Sequence, residues 1–451
     1  MSVEAEPVAS RNDRVRAAVE ELRRSSIGEE VAGWRHNAIA AGRSVTGADQ
    51  RQFALSVIHR RLRVMAERDI ANGVGALSPA EDDAVAVAVL DDMFGAGALD
   101  RLLADPLVEN IDAIGCDRVW VSYADGRKAL GPQLWRTDAE MIEHLRRLGA
   151  RVGQNERRFD HASVELNLQL PSGARLFAVM AVTARPCVSV RRHRKASATL
   201  TDLRDSGTLD GLLEGFLAAV VRARLNILIA GGTNAGKTTL LRALLAETDS
   251  TERLVTIEDN RELNLSACLP GHLDVVEMEA RDANTEGMGA VSMAELVRMG
   301  LRMNPSRVIV GEVRGAEVIP MLNAMSQGND GSMCTIHASG SDGVFDRVAA
   351  YCVQAPEHLD RVASNLLAAN AVDLVVFLSH TTTPDGAPLR RVASVREVVG
   401  AEDHHVVTNE IFRLDHGDDT ATATGVPLRP GTAERLRAVG YAWPPLERRA
   451  P

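Results

Sequence analysis

The chain has 451 residues, enough for two or three domains at roughly 100–200 residues each. It is 45% hydrophobic and 25% charged, with a formal charge of −10 at pH 7 and only three tyrosines and four tryptophans. That balance argues against a face of stacked bases and against a global field that would attract a polyanion, so a nucleic-acid partner would need a local basic patch. The strongest such run is VRRHRK, Val190 to Lys195, which reads either as a solvated linker or as a phosphate-facing segment. The five cysteines (Cys116, Cys187, Cys268, Cys334 and Cys352) show no C-x-x-C spacing, as expected of a reduced cytosolic chain. The first residues lack the apolar core of a signal peptide, and no run reaches the roughly 18 apolar residues of a membrane span. The expectation is a cytoplasmic protein that meets a membrane only through partners.

Residues 1–90 read as helical. Val15, Val19 and Leu22 recur at helical spacing, as do Ile58, Leu62 and Met65. Ser78-Pro79-Ala80-Glu81 predicts a helix start with a capping box. Residues 91–200 read as an α+β module. Val119, Val121 and Tyr123 alternate ahead of Asp125-Gly126, which predicts a hairpin. A helix is expected from a cap near Thr137 to about Gly153, then strands in ARLFAVMAV and CVSVRR. Residues 201–451 alternate helices with short, continuous apolar strands (LNILIAG, LVTIED, RVIVGE), the pattern of a parallel sheet buried on both faces. From residue 371, three further runs predict an antiparallel extension with turns at Asp385-Gly386 and Gly400, then a last helix in GTAERLRAVGYAW. His404 and His405, beside Glu402 and Asp403, read as a solvated turn rather than a metal site, because adjacent strand residues face opposite ways.

GGTNAGKTT, Gly231 to Thr239, lies between a predicted buried strand and a predicted helix, the context a P-loop requires. Its members are Gly231, Gly232, Thr233, Asn234, Ala235, Gly236, Lys237, Thr238 and Thr239. Glycines let backbone N–H groups turn inward as a phosphate nest, and the helix start adds its positive end. Lys237 can reach the β- and γ-phosphates, and the Thr238 hydroxyl can ligate Mg²⁺. Asn234 stands where glycine is usual and tolerates left-handed geometry. Glu258 with Asp259, and Glu312, follow two buried strands, so in an open parallel sheet they line the same crevice. Glu312 lacks a preceding acid, because Gly311 holds that position. His337, in GNDGSMCTIHASG, allows four roles from its own context: metal ligand, base, phosphate sensor or core residue.

The stretch from Glu286 to Ala338, together with TIEDNREL (Thr256 to Leu263) and the P-loop, resembles secretion ATPases of the type II/type IV secretion and pilus superfamily. The resemblance is greatest to CpaF-type ATPases of Flp/Tad pilus assembly and covers roughly residues 91–415. It implies a RecA-like P-loop NTPase core, an N-terminal α+β (PAS-like) module and a helical N-terminal extension. It implies ATP and Mg²⁺ as cofactors, a homo-oligomer that is a hexameric ring, and work on an inner-membrane platform. By the same resemblance Glu258 is a general base supported by Glu262, Glu312 contacts the Mg²⁺ shell or the water, and Arg314 follows it. His337 is the surviving histidine of the family's His box, facing the phosphates, while Asn329 replaces the first. Arg175 and Arg191 are implied as phosphate-binding arginines, with Arg298 and Arg302 behind them. The alternatives are a type IV secretion or conjugation ATPase in DNA or protein transfer, a helicase-like enzyme, and an ATP-binding scaffold without turnover.

Overall fold

The computed structural model describes residues 11–43, 45–151, 157–192, 198–281, 283, 287–382, 388–402 and 404–443. Of the sequence expectations, His193–Lys195 of the basic run, the helix end at Gly153, the turn Asp385-Gly386 and Asp403 lie outside these residues. The chain forms two compact units that part at residue 192.

The first unit begins with helices α1 (Arg11–Arg23), α2 (Ile27–Ala40), α3 (Gly47–Ala71), α4 (Pro79–Phe94) and the short α5 (Ala98–Leu103). The Ser78–Glu81 capping box is formed, with Pro79 in the first turn. Val19, Leu22, Ile58, Leu62, Val85 and Val89 are buried together. Then come β1 (Val108–Ile114), β2 (Arg118–Tyr123), β3 (Lys128–Leu130), α6 (Asp138–Arg151), β4 (Glu165–Gln169), β5 (Arg175–Val179) and β6 (Cys187–Arg191). The strands form one antiparallel sheet in the order β3-β2-β1-β6-β5-β4. Leu168, Leu176, Val190, Ile111 and Val121 make a continuous cross-strand row. All five are buried in one cluster with Met141, Leu145 and Leu148 of α6. The Thr137 hydroxyl accepts from the Glu140 N–H at 3.1 Å, the cap expected for α6. Arg185 bridges Asp138 at the start of α6 and Asp117, and its side-chain bonds hold both carboxyls below the usual carboxylate range.

The second unit contains α7 (Leu200–Asp205), α8 (Gly211–Arg222), β7 (Ile227–Gly231), α9 (Lys237–Leu245), β8 (Leu254–Glu258), α10 (Leu265–Cys268), β9 (Val275–Glu279), α11 (Met293–Gly300) and β10 (Arg307–Val313). It continues with α12 (Val318–Ser326), β11 (Met333–His337), α13 (Val344–Gln354), α14 (Arg361–Ala371), β12 (Leu374–Thr382), β13 (Pro388–Glu402), β14 (His405–Arg413), β15 (Thr422–Ala423) and α15 (Pro430–Ala438). Nine strands form one sheet, β15-β14-β13-β12-β7-β11-β10-β8-β9. From β12 to β9 it is parallel, and β7 and β8 are buried at every residue, as their unbroken apolar runs require. The antiparallel extension begins one strand later than the sequence suggests, because β12 pairs parallel with β7 and only β13, β14 and β15 run antiparallel. Phe216 of α8, Phe412 of β14 and Trp443 meet with ring centroids 5.1–5.5 Å apart, pinning the extension to the helical layer.

At the N-terminal edge of the parallel strands, buried polar groups join distant segments. The Asn226 side chain donates to Met325 O and Ala371 O and accepts from Ser332 N, so the ends of α12 and α14 meet the start of β11. Arg307, 1% exposed, forms a two-bond pair with Glu252 and donates to Val221 O and Gly331 O. These bonds leave the opposite, C-terminal edge of the strands to the functional groups.

Candidate functional site

Parallel strands point their C-terminal ends the same way, and here four neighbours end in chemistry. β7 runs into the glycine loop, β11 ends at His337, β10 carries Glu312 and β8 ends at Glu258. Register fixes the juxtaposition, with His337 opposite Gly231 and Val313 opposite Ile336. Thr335 Oγ donates to Gly311 O at 2.7 Å, tying β11 to β10 just behind the site.

The loop itself is built on two left-handed residues, Asn234 (φ 61°) and Gly236 (φ 96°). Gly231 is required for another reason: a Cβ there would stand 2.6 Å from Leu378 O of β12. Gly232, Thr233 and Asn234 are exposed, Ala235 is buried, and Thr238 and Thr239 are half-buried on the first turn of α9. Lys237 is 8% exposed and folds back over the loop, donating to Gly231 O at 3.0 Å and Gly232 O at 2.9 Å. Its Nζ also lies 3.3 Å and 3.4 Å from the two ring nitrogens of His337.

His337 Nε2 is 2.8 Å from Glu312 Oε1, and Arg314 donates to Glu312 Oε2 at 2.5 Å. The histidine contact lies off the hydrogen-bonding direction, so Glu312 Oε1 is a buried acceptor with no aligned donor among the described residues. Burial and then the Lys237 charge hold the His337 pKa below its ordinary value, against the opposing pull of Glu312. The imidazole, held toward its neutral form, bridges the lysine and the carboxylate. Arg347, on the first turn of α13, adds to the same positive field. Glu317 steadies the turn after Glu312 by accepting from Arg314 N and Gly315 N.

Glu258 is 3% exposed. Its Oε1 accepts from Glu262 N and Leu263 N, each at 3.0 Å, while Oε2 has no partner among the described residues. Burial pushes its pKa up to about 8 despite those two donors. The missing acid on β10 has its explanation here. A Cβ at Gly311 would lie 2.8 Å from Glu258 Cγ, so the carboxyl from the neighbouring strand fills the space a side chain would need. Asp259 is exposed beyond the strand end, and Asn260 Nδ2 donates to it at 3.1 Å.

Other expected residues are placed elsewhere. Arg298 is paired with Glu357 at 2.9 Å on the far end of α11, and Arg302 follows it on a short 3-10 turn. Asn329 donates to Ala324 O at 3.4 Å, closing the turn after α12, and so works as a backbone cap where the family resemblance has a histidine. In the first unit Arg175 and Arg191 stand directly opposite each other, in a polar row with Gln169, Asn110 and Ser122 on the face away from the core. Like charges in that register repel unless an anion or another acceptor offsets them. Sequence reasoning missed Glu317, whose position three residues after Arg314 is a readable capping signal, and Arg347, which carried none.

The Glu312 Oε1 acceptor, beside the histidine that touches the P-loop lysine, fits a site for Mg²⁺. That ion takes one or two protein oxygens and completes its shell with water and phosphate. Thr238 would hold it directly, and Glu312 would accept from a water of its shell. Groups of three or more His, Cys, Asp or Glu at metal spacing are absent among the described residues, which is consistent with so sparse a donor set.

Residues 93–403 match the family described as "Type II/IV secretion system protein". The chain is 36% identical over 341 residues to "Putative conjugal transfer protein Rv3659c" of Mycobacterium tuberculosis (strain ATCC 25618 / H37Rv), covering 73% of this chain and 92% of that one. It is 38% identical over 172 residues to "Type IV secretion system protein PtlH" of Bordetella pertussis, covering 38% and 50%. Among solved structures it is similar to the Brucella suis VirB11 ATPase of a type IV secretion system, with 26% identity, 68% and 94% coverage and a TM-score of 0.35. It is also similar to the Legionella pneumophila ATPase DotB, with 18% identity, 67% and 81% coverage and a TM-score of 0.48.

Proposed function

We propose that this chain, which belongs to the type II/IV secretion system protein family, is an ATP-hydrolysing motor that drives pilus assembly or secretion through an inner-membrane platform. One observation carries the reading: one histidine in contact with both the P-loop lysine and a carboxylate at the C-terminal edge of a parallel sheet. The strand bearing His337 lies between the P-loop strand and the strand bearing Glu312, an order that supports a RecA-like core. The working organisation is an extension (1–90), an α+β, PAS-like module (91–200) and this core (201–451).

Phosphoryl transfer to water asks for positioning and charge stabilisation more than for covalent chemistry. Lys237 exchanges its carbonyl partners for the β- and γ-phosphate oxygens, while the loop N–H groups hold the rest. Mg²⁺, when bound, neutralises phosphate charge. In this reading Glu312 Oε1, without an aligned donor, accepts a hydrogen bond from the attacking water and then its proton. His337 touches both Lys237 and Glu312, so loss of the γ-phosphate changes what both its neighbours bind. Glu258 holds the loop at 262–263 through its Oε1. Arg175 and Arg191 are the candidate arginines for phosphate, from this subunit or a neighbour.

The Flp/Tad assignment rests on the sequence resemblance. The relatives named for conjugal transfer and type IV secretion fit the alternative, an ATPase of DNA or protein transfer, as well. Described helices include none long and apolar enough to cross a membrane, so the reading takes membrane attachment from the platform partner. The motor reading implies a hexamer. Light scattering of the purified chain with Mg²⁺ and a non-hydrolysable ATP analogue should give about six times the 48.5 kDa chain mass, and a strict monomer would contradict the ring. Phosphate release by wild type and by Glu312→Ala tests the activity itself.

A further inference from the structure

The phosphate loop is held from outside as well as from within. Side chains donate to three of its backbone carbonyls. Lys237 takes those of Gly231 and Gly232. The third, Asn234 O, accepts from Arg390 Nε at 2.8 Å, although the two residues are 156 positions apart. Arg390 lies on β13, opposite His380 of β12, and β12 in turn pairs Leu378 with Gly231 of β7. The extension therefore sets its first strands against the loop. The Leu378 carbonyl closes over Gly231, and the Arg390 stem lies 3.5 Å from where a Cβ at Gly236 would stand.

Asn234 is the loop's non-glycine residue at positive φ, and left-handed backbone disfavours any L side chain. A loop that is free to relax would leave that conformation and turn its N–H groups out of the nest. A guanidinium fixed on a paired strand opposes this by fixing the Asn234–Ala235 peptide, whose N–H donates to Gly232 O and closes the loop on its other side. We propose that Arg390 is a positioning residue of the nucleotide site: it keeps the phosphate loop in its binding conformation in a chain that carries Asn234 where glycine is usual. The proposal rests on the functional reading above and adds to it a residue that the P-loop motif does not contain.

The test is titration of the full chain with a fluorescent ATP analogue and Mg²⁺, alongside steady-state turnover. Arg390→Ala should weaken nucleotide binding about tenfold, the order for removing a charged donor from an acceptor. KM should rise to match while kcat stays at the wild-type value. Asn234→Gly, which adopts positive φ freely, should restore most of the lost affinity in the Arg390→Ala background. Arg390→Gln, which keeps length and loses charge, replaces Arg390→Ala if that variant does not fold. Undiminished binding by the Arg390 variant overturns the proposal. So does an equal loss whether position 234 holds asparagine or glycine, which would mean simple packing. A wild-type chain that binds no nucleotide overturns the functional reading itself.

Discussion

Glu258 accepts two backbone N–H groups on one carboxyl oxygen and none on the other, in a setting almost closed to solvent. Its pKa stands at about 8 against an ordinary 4.5, so folding takes up a proton between those values. Stability from this group is complete below about 4.5 and falls as the pH rises to about 8, because the folded state holds the proton the unfolded state has lost. Glutamine has no proton to lose. The melting temperature of wild type should therefore fall relative to Glu258→Gln as the pH rises from about 5 to about 8, and two parallel curves would contradict the assignment. At this scale the sequence was informative about which acids reach the crevice and silent about their protonation. Burial by Gly311 and the neighbouring strands decides the latter, and no local motif encodes it.

Elements were legible where their signals are contiguous. β7, the glycine loop and α9 follow one another directly, and the capping boxes at Ser78 and Ser292 are spelled out in four residues. β1 was harder to read, because Asn110 and Asp112 break its apolar run and pair within a sheet face. β12 was read as part of the antiparallel tail, yet its unbroken apolar residues fit a strand covered on both faces. Long-range bonds, such as Asn226 to Asp373 across 147 positions, leave no mark in a single sequence. Gly331 belongs to this class. Its φ is +83°, and a Cβ there would lie 2.3 Å from Arg307 Nη1 and 3.1 Å from Arg224 Cα. Gly331→Ala must displace a buried arginine from Glu252 and adopt left-handed backbone, so it should cost on the order of 3 kcal/mol. Urea unfolding measures this directly, and an unchanged midpoint would show that the turn before β11 tolerates a side chain.

At the scale of the whole molecule, the family match spans both units, while the P-loop, Glu258, Glu312 and His337 all lie in the second. Net charge and composition do not point to a nucleotide site; the P-loop motif and the residues at the strand ends do. The glycine-rich stretch before His337 serves two ends of the sheet at once. Gly331 makes room for Arg307 at one edge, and His337 meets Lys237 and Glu312 at the other. The two-unit organisation gives a P-loop core and a separate sheet whose Arg175 and Arg191 face away from its own core. The central claim is that Glu312, with His337 beside it, carries ATP hydrolysis. The direct measurement is phosphate release under saturating ATP and Mg²⁺ by wild type, Glu312→Ala and His337→Ala, with nucleotide binding measured on the same samples. All three should bind ATP, while turnover falls by about a hundredfold or more in Glu312→Ala and by most of its value in His337→Ala. Turnover by Glu312→Ala at the wild-type rate would contradict the claim.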